Sequence, residues 1–282
     1  MNYTIHDING APRTVNITVE LIDPKKAAEY LSHNIENNRK KNDDRVAAYS
    51  RDMAALDWEF TGQTIVFDSE GRLIDGQHRL EAIIKSDEII EIIVVRGINP
   101  DAVAFIDKGR GRSFNDTMKI TENDTILRLS STQATIRSVV RNETSVRILS
   151  ESELEWLYTK FANECHVVSR LIPHNLGKPF VADFRGACLA ALIAGVSETD
   201  LAEYIKVMRT RMPTMRYNDD AALKWEDTIH RTIGRTLEGS QMYLGTENSI
   251  YHFISGRKYR KYRELKHWFE IKDKVIEAIQ SR

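Results

Sequence analysis

The spacing of apolar and polar positions changes once along the chain. Over residues 3–22 the two alternate, with Val15, Ile17, Val19 and Leu21 on one face and Asn9-Gly10 as a turn signal, which predicts a β-hairpin or an edge strand. Asp23-Pro24 then opens a helix carrying Ala27, Ala28, Tyr30 and Leu31, with Asp as N-cap and Pro at the first helical position. After a polar stretch over 34–42, Asp43 is placed to cap a second helix. On it Val46, Tyr49, Met53 and Leu56 share a face, and Trp58 lies just past its end. Residues 63–68 form a short β-run, Asp68-Ser69-Glu70-Gly71 a turn, and Leu73-Ile74 resumes the sheet. The pattern then reads as a helix over 79–86, a strand over 89–95 and a helix over 99–106.

From about residue 113 the helical period takes over. It runs through 124–142, 151–171, 180–194, 198–211, 219–237 and 259–280, with short polar or Pro/Gly breaks and almost no strand signal. The expected fold class is therefore α+β, with a mixed α/β N-terminal domain over 1–118 and an all-α domain over 119–282.

Composition adds boundaries rather than a function. The chain has 282 residues, 41% apolar and 29% charged, which suits a soluble globular protein of one large domain or two modest ones. With a net charge of −1, contact with nucleic acid must come from a local patch. Cys165 and Cys188 are the only cysteines, so neither a disulfide framework nor a cysteine zinc site is expected. Residues 1–10 have no basic and apolar leader pattern, and no run reaches membrane length. A cytoplasmic protein without a membrane partner is the expectation.

Candidate chemistry concentrates in Asp75-Gly76-Gln77-His78-Arg79, between a short strand and a helix. Gly76 lets the backbone approach a ligand, and the N–H groups of a new helix favour an anion. In this reading Gly76, Gln77 and Arg79 bind phosphate, with Arg79 neutralising its charge. His78 donates a hydrogen bond, and Asp75 holds Mg²⁺ or acts as a base. The plainer reading is a turn in which Asp75 caps the helix and Arg79 pairs with Glu81 or Glu70. Asn38 and Arg39 form a second polar cluster, and Arg110 and Arg112 with Lys108 a Gly-flanked basic loop that lacks the Walker A ending. Residues 256–266 carry six cations, among them Arg257, Lys258, Arg260, Lys261 and Arg263, with two tyrosines. That is a nucleic-acid grip or a solvated helix face.

The Asp75–Arg79 box, ending an Ile-x-x-Asp-x-x-Gly-x-Leu-Ile hairpin, resembles the core loop of the ParB/sulfiredoxin superfamily, and more narrowly its branch with an Asp-Gly-Gln-His-Arg box. Asn38-Arg39, Val46-x-x-Tyr49-x-x-x-Met53, Trp58 and the 106–116 segment resemble ParB-like proteins of bacteriophages. The likeness spans about residues 20–120. It implies nucleotide binding, with Asn38 and Arg39 folded over the nucleotide. Sulfiredoxins have cysteine where Gln77 stands, so sulfinic-acid reduction is not implied. ParB-related free-serine kinases share Asp75, Gly76, His78 and Arg79. The first expectation is thus a nucleotide-binding protein of phage or mobile-element DNA metabolism, with Mg²⁺-dependent NTP hydrolysis or phosphoryl transfer. The alternatives are a non-catalytic DNA-binding or regulatory protein and a metal-dependent DNA nuclease. Homo-oligomerisation is compatible with each.

Overall fold

The computed structural model describes residues 1–6, 12–35, 38, 40–101, 130–173, 176–214, 216–231, 237–259 and 266–282. The chain divides into two compact units, Met1–Gly111 and Arg112–Arg282. The first is a mixed α/β sheet unit and the second, among the described residues, is all-α. No described helix is long and apolar enough to cross a membrane.

In the first unit the strands are β1 (Asn2–His6), β2 (Pro12–Ile22), β3 (Thr64–Asp68), β4 (Leu73–Asp75) and β5 (Ile90–Ile98). Their order is β1-β2-β5-β3-β4. β3 and β5 run parallel while the other pairs are antiparallel. Parallel neighbours need a crossover, which passes through β4 and helix α3 (Gln77–Ser86). Helices α1 (Pro24–Ser32) and α2 (Asp43–Ala54) join it in a core with Ile22, Tyr30, Met53, Ile65, Leu80, Ile83 and Val94. Asp23 caps α1 as its sequence predicts, its carboxylate accepting from Lys26 N at 2.7 Å. The cap of α2 is Asn42 rather than Asp43, its side chain accepting from Arg45 N at 3.0 Å. Leu56 falls outside the helix at φ +60° and is 82% exposed.

The alternation over 3–22 does form a hairpin, but β2 lies inside the sheet, between β1 and β5. Of its apolar face only Val15 is buried; Ile17, Val19 and Leu21 are exposed. The opposite face carries the polar residues inward. Glu20 accepts from Arg96 Nη1 at 2.7 Å, Thr18 Oγ1 at 2.6 Å and Tyr30 OH at 2.5 Å, and pairs with Lys26 at 2.7 Å. Burial alone would raise the Glu20 carboxyl, but Arg96, Lys26, Thr18 and Tyr30 together hold it well below the usual 4.5. A carboxyl lowered in the folded state contributes stability that is present above pH 4.5 and disappears as pH falls toward the folded value. Acid titration of Tm should therefore show a descending limb below that pH, shallower in Glu20→Gln. Superimposable limbs would refute the network.

In the second unit the helices are α4 (Ser130–Glu143), α5 (Glu151–Lys160), α6 (Ala162–Leu171), α7 (Ala182–Ile193), α8 (Glu198–Thr210), α9 (Asp219–Arg231), α10 (Gly239–Ser255) and α11 (Lys272–Gln280). α7 is the centre: residues 184–193 are all buried, and α4 and α10 pack against it. Three departures from the sequence pattern matter. The 151–171 segment breaks at Phe161 into α5 and α6. In the 259–280 segment the described residues 259 and 266–271 are not helical, and the helix starts at Lys272. And α10 has no counterpart among the predicted helices. Gly245, Thr246, Asn248 and Ser249 disguise it, because each is a poor helix former. Within the fold they are paired or packed: Thr246 Oγ1 accepts from Trp225 Nε1 at 3.1 Å and donates to Met242 O, and Ser249 donates to Ala221 O and accepts from Tyr204 OH.

Candidate metal centre

The predicted phosphate loop is built where β4 meets α3. Gly76 is the N-cap of α3 at φ +107°, and no side chain caps that end. A Cβ at Gly76 would lie 2.5 Å from Ile65 Cδ1, so the glycine serves the chain's own packing as well as the turn. Asp75 is engaged at both oxygens, accepting from Gly76 N at 2.7 Å and from Arg79 Nη2 at 2.9 Å. Arg79 also donates to the Thr64 carbonyl and to Gln63 Oε1. The partner of Arg79 is thus Asp75, whereas Glu70 pairs with Arg72 and Glu81 with Lys41. A phosphate reaching this guanidinium has to compete with a carboxylate only 19% exposed.

The 34–42 stretch does come to the loop. Asn38 Nδ2 donates to Asn34 Oδ1 at 2.7 Å, and Asn34 Nδ2 donates to Gln77 Oε1 at 3.2 Å. His78 Nε2 accepts from Asn42 N at 3.0 Å, so that atom is a lone pair and not a donor toward phosphate. Arg39, Arg110, Arg112, Arg260, Lys261 and Arg263 lie outside the described residues. Arg257 and Lys258 are exposed, the Arg257 guanidinium standing 5.7 Å from the Tyr251 ring.

A different constellation appears in the helical unit. Glu143 ends α4, Glu247 lies within α10, and His267 precedes α11. His267 Nδ1 is 3.0 Å from Glu143 Oε1 and 3.6 Å from Glu247 Oε2. Among the described residues these are the one group of three His, Cys, Asp or Glu side chains whose ligand atoms all lie within 4.8 Å of one another. The Glu143 and Glu247 side chains are 1% and 0% exposed, and the His267 ring is 40% exposed. Tyr243 OH donates to Glu143 Oε1 at 2.8 Å, and Trp268 N donates to Glu247 Oε2 at 3.1 Å. Glu247 Oε1 is buried with no hydrogen-bond partner. Burial and the nearby Glu143 raise the Glu247 carboxyl, while Glu143 and Glu247 raise the His267 imidazole.

Sequence reasoning passes over these three residues because they are far apart in the chain and match no ligand spacing. The one local signal is a glutamate inside a run, Met242-Tyr243-Leu244 to Ile250-Tyr251, that is otherwise without charge; a buried Glu is rare unless paired. Compared with known proteins, the chain matches no family model, no curated protein and no solved structure.

Proposed function

We propose that this protein is a divalent-metal-dependent hydrolase of nucleic-acid phosphodiesters, a nuclease, with its metal centre at Glu143, Glu247 and His267. The observation that carries the reading is the Glu247 carboxylate, buried with its Oε1 unpartnered, beside a second buried carboxylate and an imidazole nitrogen. Leaving such an atom unsatisfied costs about 1–3 kcal/mol or more, and a cation removes that cost. Three protein ligands leave coordination positions open, as in catalytic rather than structural sites. A bound ion there supplies Lewis-acid polarisation of a phosphoryl oxygen and an activated water. Tyr243 OH and Trp268 N orient the two carboxylates, the role that outer hydrogen bonds play in such centres. His267 forms the exposed side. Lys266, Arg257 and Lys258 are exposed nearby in the chain, and the 256–266 run of six cations that leads into His267 offers charge to phosphates.

The test is cleavage of plasmid and single-stranded DNA by chelator-treated protein resupplied with Mn²⁺ or Mg²⁺. Glu143→Gln and His267→Ala should each lower the rate by roughly 100-fold, the upper range for a lost metal-supporting group. Cleavage at the parent rate by both variants would refute the assignment. A second reading, nucleotide binding at Asp75–Arg79, is favoured by the uncapped start of α3 at Gly76. NTP turnover that survives His267→Ala and is lost in Arg79→Ala would move the function to the first unit.

A further inference from the structure

The identity of the ion follows from which atoms face one another. We infer that Glu143, Glu247 and His267 select a transition-metal dication of the Mn²⁺, Fe²⁺ or Zn²⁺ class over Mg²⁺ and Ca²⁺. This rests on the metal-binding part of the proposal above and does not depend on the reaction catalysed.

The donor set carries the choice against Mg²⁺, the spacing the choice against Ca²⁺, and a third observation the presence of a site. The first is the donor set, two carboxylates and one imidazole nitrogen. Imidazole suits Zn, Cu, Fe and Ni, and carboxylate suits Mn as well, whereas Mg²⁺ and Ca²⁺ are held by oxygen. The second is spacing. Neighbouring ligands at about 2.0–2.2 Å from a small dication stand roughly 3.0–3.5 Å apart in tetrahedral or octahedral geometry. His267 Nδ1 is 3.0 Å from Glu143 Oε1 and 3.6 Å from Glu247 Oε2, both close to that range, and ligand atoms of all three residues lie within 4.8 Å of one another. Ca²⁺ would require six to eight oxygens at about 2.3–2.6 Å, and this cluster offers two carboxylates. The third is independent of both: Glu247, with a side chain 0% exposed, has its Oε1 buried and unpartnered. Its other oxygen is already fixed by Trp268 N at 3.1 Å. The carboxylate is thus held in place with one lone-pair-bearing atom left for a ligand, while Glu143 is held by Tyr243 OH at 2.8 Å.

The imidazole makes the inference separable from a generic acidic site. If His267 confers the selectivity, its removal should cost affinity for Mn²⁺ and Zn²⁺ and leave the weak affinity for Mg²⁺ unchanged. The experiment is calorimetric titration of the full-length, chelator-treated protein with MnCl₂, ZnCl₂ and MgCl₂, with Co²⁺ visible absorption as a second readout of the ligand field. Expected are one Mn²⁺ or Zn²⁺ bound per chain, no competition from millimolar Mg²⁺, and a loss of at least 10–100-fold in His267→Ala, the scale of a supporting-shell loss. Glu247→Gln should lose Co²⁺ absorption as well. Because Glu247 is buried, His267→Ala on the exposed side decides the matter if the Gln variant does not fold. Equal affinity for Mg²⁺ and Mn²⁺, or unchanged Mn²⁺ binding in His267→Ala, overturns the inference. Selective metal binding without DNA cleavage upholds it and refutes the nuclease reading.

Discussion

Gly245→Ala should destabilise the helical unit by about 3 kcal/mol, the upper end of what overpacking a buried site costs. A Cβ at this position would stand 2.2 Å from Trp225 Cη2 and 2.6 Å from Cζ2. The indole cannot yield easily. Trp225 is 1% exposed, and its Nε1 is tied to Thr246 Oγ1, the next residue along α10. For a unit of this size the loss corresponds to roughly 6–12 °C in Tm. The second variant that makes the prediction specific is Trp225→Phe, whose smaller ring removes the clashing atoms. Combined with Gly245→Ala it should recover part of the loss, a non-additivity expected only of residues in contact. Thermal melts of the two singles and the double measure it, and strictly additive losses would refute the contact. Because α10 also carries Glu247, the same variant should weaken Mn²⁺ binding in proportion to the loss of helix order.

Arg185→Met should cost a similar amount, about 3 kcal/mol, although no carboxylate is involved. The side chain is 4% exposed, and its guanidinium donates to three backbone carbonyls: Phe180 O at 3.0 Å, Ile172 O at 2.7 Å and Pro173 O at 2.7 Å. These belong to the connection between α6 and α7, where no helix or strand ladder satisfies them. Removing the fork leaves the carbonyls of buried Ile172 and Phe180 unpaired, each worth about 1–3 kcal/mol, part of which water recovers, while Pro173 O keeps its bond from Leu176 N. Arg185→Lys keeps a charge but cannot reach three carbonyls at once with a planar fork, so it should fall between parent and Met in urea midpoint. A Lys variant no better than Met would assign the effect to shape alone.

Both expectations come from residues whose importance is invisible without the fold, and the candidate centre shows the same thing. The first unit was largely legible. The Asp23-Pro24 start of α1, the turn at Asp68–Gly71 and the strand–turn–helix at 73–86 are local events, decided by capping, left-handed glycine and hydrophobic period. Asp68 accepts from Glu70 N and Arg72 N much as a turn aspartate does in isolation. The Asp75–Arg79 box also lies where its pattern predicts, at the junction of a strand and a helix. Its internal ion pair was not legible, because choosing Asp75 over Glu70 or Glu81 as the partner of Arg79 depends on where β3 runs: Thr64 O and Gln63 Oε1 bind the same guanidinium.

In the helical half the period marks where α4 to α9 and α11 lie, with the breaks described above, and does not mark α10. Its middle holds the poor helix formers Gly245, Thr246, Asn248 and Ser249, and residues 245–250 are all buried, so neither propensity nor an amphipathic stripe marks it. Chain order therefore settled the two-part architecture, with β-alternation before residue 100 and helical repeat after 130, since each depends on neighbours a few positions apart. Which glutamate meets which histidine was settled in three dimensions alone. Glu143, Glu247 and His267 are joined by the packing of α4 and α10 on α7, and no interaction between near neighbours carries that information.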